Sequence, residues 1–254
     1  MTSRKLGFTL AAALLGCAAV PPLAAAADAA PAADEAAPPA PAWTATANVA
    51  LTNAYFFRGM NYTRGRPAIQ GGFDVAHSSG FYAGVWASNV DPDSFLGAPN
   101  AEVDLYGGFT FPVGAITADV GVLQFVYPQV NTPNTTELYV AGTWNWLNLK
   151  YSHAVTDFFG YAGSSGSGYV EGNINYEFAP TWVLNLHAGY QNVRGGYDAS
   201  YTDYRAGITK NFDGGWQVSV AGVNTTGVNK EFWVSSKGYQ TDHLRYQVMV
   251  KRTF

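Results

Sequence analysis

The chain ends on eleven residues, Leu244 to Phe254, that sort cleanly into two sets. Leu244, Tyr246, Val248, Val250, Arg252 and Phe254 form one alternate set; Arg245, Gln247, Met249, Lys251 and Thr253 form the other. A period of two belongs to a strand whose faces meet different media, here one mostly apolar and one mostly polar. Arg252 breaks the apolar set, and at a membrane edge its guanidinium can reach the headgroup level.

Composition says which medium the apolar face meets. Charged residues make up 13% of the chain and aromatics 15%. The charged share is about half that of an ordinary soluble domain. No run of eighteen apolar residues follows the first thirty positions, so no helix of the mature chain is expected to span a bilayer. The other structure that satisfies every backbone polar group in hydrocarbon is a closed barrel.

The amino terminus reads as a secretion signal over residues 1–27: Arg4 and Lys5, an apolar stretch from Leu6 to Val20, then small residues before Asp28. Cys17, the sole cysteine, is a hydrophobe of that signal or part of a weak lipoprotein-type box, Leu14-Leu15-Gly16-Cys17; either way the mature barrel carries no disulfide. Residues 28–42, rich in Ala and Pro, cannot bury a core and are expected to be a disordered periplasmic lead-in to a single domain over 43–254. Losing Arg4 and Lys5 leaves 12 basic against 18 acidic residues, a net charge of −6 that argues against nucleic-acid binding.

From Ala45 onward, alternating runs of roughly ten residues are separated in turn by tight turns and longer loops. The first is expected over Asn48 to Phe57, the next over Ala68 to His77 and Phe81 to Asn89, with Glu102 to Phe111 and Ile116 to Tyr127 after them. Further runs reach the closing strand and give about twelve strands, an even number that returns both termini to one side. The predicted fold is an all-β, transmembrane, antiparallel up-and-down barrel of the bacterial outer-membrane type, placed in the cell outer membrane with the short turns periplasmic. Phe81, Phe111, Trp144, Phe178, Trp182, Phe212, Trp216 and Phe254 bracket those turns, as rings that prefer the interface do.

Parity also predicts what faces the lumen. It points Asp74, Glu102, Asp104, Asp119, Glu137, Glu171, Glu177 and Asp203 inward, with Lys150, Arg205, Arg245 and Lys251, and with Tyr106, Asn173, Asn175, Asn185 and His187. So many charges need water or one another. In a barrel of about twelve strands the lumen falls between a packed interior and an open channel. It is therefore either a narrow aqueous pore with an acidic excess that favours cations mildly, or a salt-bridged plug.

Tyr55-Phe56-Phe57-Arg58-Gly59-Met60-Asn61, continuing through Arg66-Pro67-Ala68-Ile69-Gln70-Gly71-Gly72-Phe73-Asp74 to Gly80-Phe81-Tyr82-Ala83-Gly84-Val85-Trp86-Ala87-Ser88-Asn89-Val90, resembles the signature of the TorF-like porin family, also described as Gcw_chp bacterial proteins of unknown function. The resemblance implies an outer-membrane pore with no established substrate and brings no catalytic residues. Gly59, Gly71, Gly72 and Gly84 permit bulges or close strand approach. Arg58, Arg64 and Arg66 cluster at the first outer loop; either they pair with Asp91, Asp93 or lipopolysaccharide phosphates, or the loop folds inward and sets a positive constriction against the acidic wall.

No cofactor or metal site is expected, since no cysteines pair and no two histidines are close in sequence. Ser152-His153 with Asp157 is the only compact hydrolase-like set, and adjacent strand residues point to opposite faces. The expected function is passive diffusion of small polar solutes or ions, with a non-conducting structural or surface-interaction barrel as the alternative and a barrel-embedded hydrolase behind both. Expected partners are outer-membrane lipids, lipopolysaccharide, the solutes themselves, and the barrel assembly machinery through the strand ending at Phe254.

Overall fold

The computed structural model describes residues 41–254 apart from 95, 98, 131, 236 and 239–242; the expected signal and nearly all of the lead-in lie outside the described residues. The strands are β1 (Trp43–Thr52), β2 (Phe56–Phe57), β3 (Met60–Asn61), β4 (Ala68–His77), β5 (Phe81–Asn89), β6 (Ala101–Val113) and β7 (Ile116–Val126). Then come β8 (Thr135–Trp144), β9 (Leu147–Ala154), β10 (Gly168–Ala179), β11 (Trp182–Asn192), β12 (Tyr201–Asn211), β13 (Trp216–Thr226) and β14 (Arg245–Thr253). Twelve of them, all but β2 and β3, pair with their sequence neighbours into a closed antiparallel barrel that β1 and β14 seal.

Closure leaves no sheet edge, so every wall strand donates and accepts along both sides. The seal runs from Asn48 opposite Thr253 to Thr52 opposite Met249, and the Phe254 amide donates to the Ala47 carbonyl at 2.8 Å. Alternation then decides what each face meets. On β13, Ser219, Ala221, Val223 and Thr225 are buried while Val220 points out; on β14, Gln247 and Met249 are buried while Tyr246, Val248 and Val250 point out. The exterior repeats this apolar surface on strand after strand, as Leu51, Ile69, Leu105, Leu138, Leu149, Val170 and Ile208 illustrate.

Aromatics gather on the exterior where the turns are short. Trp43, Phe81, Trp144, Trp146, Phe178, Trp182, Phe212, Trp216 and Phe254 are all exposed there; Phe111 is half-buried. Arg252 lays its guanidinium 5.3 Å from the Trp216 ring centre and 4.5 Å from that of Phe254, which lets the charge sit among interfacial rings.

The first run departs from its expected place. The wall strand covers Trp43–Thr52, not Asn48 to Phe57. Past Thr52 the chain leaves the wall: Tyr55, Phe56, Phe57 and Met60 are all buried, whatever their parity. A wall strand would expose every second one of these. Both faces of this segment are instead surrounded by protein, because it lies inside the barrel as the β2–β3 hairpin.

Candidate functional site: the charged lumen and its inner hairpin

The hairpin turns through Arg58 and Gly59 with φ of 45° and 77°. Two positive φ values in a two-residue turn match the twist of the flanking strands, but an arginine in that conformation costs about 1 kcal/mol or more. The base is tied by the Tyr62 amide to the Tyr55 carbonyl at 2.9 Å and by the Tyr55 amide to Thr63 Oγ1 at 2.9 Å. The tip reaches across to the far wall. Built on Gly59, a Cβ would stand 2.5 Å from Thr225 Cγ2 and 2.6 Å from Asp203 Cβ, so only glycine allows this approach.

Arg58 enters a site made by three wall strands. Its Nη1 and Nη2 donate to Glu137 Oε1 and Oε2 at 2.9 and 2.6 Å, and Nη1 also donates to Gln191 Oε1 at 2.9 Å. The guanidinium carbon lies 4.2 Å from the Tyr169 ring centre and 4.8 Å from that of Phe57. Arg58 and Glu137 side chains are 3% and 2% exposed, so this pair is out of water and its two-point geometry is what offsets the desolvation of both charges.

Carboxylates gather around this pair. Glu102 accepts from the Tyr55 and Tyr127 hydroxyls, both at 2.5 Å. Asp104 is fully buried, and neither of its carboxylate oxygens has a hydrogen-bond partner among the described residues. Beyond Tyr169, the His187 ring contacts Asp203 Oδ2 at 2.8 Å through Nε2 and Asn173 Oδ1 at 2.7 Å through Nδ1, while the Tyr169 hydroxyl donates to Asp203 Oδ1 at 2.8 Å. Glu171 accepts from Asn173 Nδ2 at 3.0 Å.

Toward the short-turn end the lumen is less enclosed. Tyr106 donates to Asp74, Tyr82 donates to Asp119 at 2.7 Å, and Lys150 sits 4.1 Å from the Tyr139 ring centre. Tyr106 lies over Gly84 and Tyr169 over Gly189, where any side chain would collide with the phenol. Arg205 donates to Gln247. Arg245 is half-buried where β14 begins, and Glu177 is exposed beside its turn, accepting from the Thr181 amide at 2.8 Å.

An aromatic cap covers the hairpin at the long-loop end. Phe159, itself at a φ of 46°, packs 5.9 Å from Phe57 and 5.3 Å from Phe125. Trp233 packs 5.4 Å from Tyr201 and donates to the Ala199 carbonyl at 2.8 Å. Burial in this cap pushes the Tyr161 phenol up to about 12, as a dry environment disfavours the phenolate.

The three arginines of the first loop thus part company. Arg58 lies in the lumen, whereas Arg64 and Arg66 stay at the rim and pair with Asp91 and Asp93. Tyr169 and Gln191 were not singled out by sequence reasoning; the one signal for them is polar or amphipathic character at inward parity. Ser152 faces the lumen and is buried, while His153 points the other way and meets the Tyr151 hydroxyl at 3.1 Å, so these two cannot act on one substrate atom.

The family model described as bacterial protein of unknown function (Gcw_chp) matches residues 35–254. The chain belongs to the Gcw_chp family. Among solved structures, this Gcw_chp barrel is similar to the KdgM porin at a TM-score of 0.55 and 10% identity, over 83% of this chain and 99% of that one. It is similar to the NanC porin at 0.56 and 9%, over 82% and 98%. A KdgM porin in complex with disordered oligogalacturonate gives 0.53 and 10%, over 83% and 99%. Comparison with curated proteins gives no match. At such identities the likeness is one of fold: this Gcw_chp chain shares the closed barrel of these porins.

Proposed function

We propose that this barrel is an outer-membrane channel through which small polar solutes or ions diffuse passively, with a mild preference for cations. The observation that carries the reading is a closed wall, apolar outside, around an interior that holds Asp74, Glu102, Asp104, Asp119, Glu137, Glu171 and Asp203 against fewer basic groups, Arg58, Lys150, Arg205 and Lys251 among them. A barrel built only to fill its own centre needs no such charges. The porin fold supports the same reading. On this view Arg58 supplies the positive side of a constriction; Arg64 and Arg66 act at the entrance, where lipopolysaccharide phosphates are the natural anionic neighbours. Phe254 closes the wall and is the feature offered to the assembly machinery.

A second reading, a plugged barrel whose loops do the work, is favoured by the buried Arg58–Glu137 pair and by the aromatic cap above it. Single-channel recording on refolded protein in planar bilayers separates the two. Discrete steps with cation permeability above anion permeability are expected; a silent membrane at every potential would leave the plugged barrel, and equal permeabilities would remove the cation preference alone.

A further inference from the structure

We infer that Glu137, Gln191 and Tyr169 form a binding site for guanidinium-bearing solutes, and that Arg58 is its tethered, displaceable occupant. The site belongs wholly to the wall: Glu137 on β8, Tyr169 on β10 and Gln191 on β11, each 2% exposed or less. A carboxylate taking two parallel N–H bonds, an amide oxygen taking a third, and an aromatic face below are the features a planar guanidinium selects and a compact ammonium does not. The wall sets these parts in place without the arginine. Gln191 Nε2 donates to the carbonyls of Gly168 and Asn192, both at 3.1 Å, which fixes its Oε1 as the acceptor facing the site. The Tyr169 ring is held through its hydroxyl by Asp203.

The occupant arrives separately. Arg58 stands at the tip of a hairpin that is no part of the barrel wall, on a turn whose two residues both have positive φ. Around it, Glu102, Glu137 and Asp104, whose oxygens have no hydrogen-bond partner among the described residues, set three buried carboxyl groups about the one guanidinium. A free solute competes with a tethered group whose effective concentration is in the millimolar range, and a solute that wins frees the hairpin from the far wall. The inference deepens the channel reading by naming a solute class, but binding itself does not rest on conduction.

The test uses full-length refolded protein in detergent, with methylguanidinium as probe and methylammonium as control, both at concentrations too low to denature. Calorimetry on Arg58→Ala is expected to show methylguanidinium binding on the order of 100-fold tighter than to the parent, because the tethered competitor is gone. Methylammonium should bind roughly tenfold more weakly than methylguanidinium. Adding Glu137→Gln should abolish the difference. Arg58→Lys keeps a positive charge beside Glu137 and carries the same test if the alanine variant fails to refold; there methylguanidinium should displace the lysine and raise the unfolding temperature, and methylammonium should not. Equal response to the two probes, or a response that survives Glu137→Gln, overturns the site. Binding without conductance in bilayers would uphold the site and remove the channel reading; conductance without selective binding would remove the site and leave the channel.

Discussion

At the residue scale, Gly59 and Arg58 carry the most consequence for the fewest atoms. Replacing Gly59 by alanine adds a methyl that must displace both Thr225 Cγ2 and Asp203 Cβ, and it imposes a side chain at a φ of 77°. Gly97 provides the control, since its φ is 79° but no atom of the described residues lies within 4 Å of the position a Cβ would take. Gly59→Ala is therefore expected to cost about 1–3 kcal/mol more than Gly97→Ala, measured from urea unfolding of the refolded barrel, because only the first adds a clash to the backbone strain. The same variant should raise single-channel conductance, as the tip no longer seats against β12 and β13. Glycine at this point was legible in the sequence as a place of close approach. That Arg58, rather than Arg64 or Arg66, enters the lumen was not: three arginines within nine residues share one charge and one loop, and Arg64-Gly65, with φ of 52° and 79°, even repeats the turn of Arg58-Gly59.

At the element scale, the hairpin's outer end is tied to two other long loops through acids of the second. Arg64 Nε donates to Asp91 Oδ1 at 2.9 Å, Arg66 Nη1 lies 2.8 Å from Asp91 Oδ2, and Lys237, from the last loop, lies 2.8 Å from Asp93 Oδ2. The Lys237 hydrogen bond, then the charges of Lys237, Arg64 and Arg66, hold the Asp93 carboxyl below its ordinary value of 3.8. Because the folded value is the lower one, the contribution is present above 3.8 and is lost as pH falls through the folded value. Proteolysis of the second loop is thus expected to accelerate below that point in the parent. Asp93→Asn, compared at each pH with the same protease, should be cut at the faster rate throughout and show a smaller step. High salt should weaken the exposed Lys237 bridge more than the Arg64–Asp91 pair, whose side chains are 9% and 2% exposed. Strand limits were easier to read than these ties. β4, β5 and β11 begin and end where alternation begins and ends, whereas loop-to-loop pairing leaves no periodic trace.

At the scale of the whole molecule, the sequence discloses the barrel because two media act on every wall strand and write a period of two into each. It hides the hairpin for the same reason: inside the lumen both faces meet protein, so Tyr55, Phe56 and Phe57 read as one more wall strand. The contrast supplies a test of the medium itself. Ile208, Val220 and Val248 stand side by side across β12, β13 and β14, pointing outward and 44%, 52% and 45% exposed. On a soluble protein, lysine at Val220 would be close to neutral, since an exposed ammonium remains in water. In hydrocarbon it must be desolvated or must thin the bilayer around it, and the expected cost is about 2–4 kcal/mol for a site midway along a strand. Val155, just past the end of β9 at the long-loop rim, is also exposed, at 46%, and there lysine should cost about 0–1 kcal/mol because the headgroups are within reach. Unfolding of Val220→Lys and Val155→Lys in lipid vesicles measures the gap directly: a difference of about 2 kcal/mol or more places hydrocarbon against the middle of the wall, while equal, near-zero costs would put water there and take the channel with it.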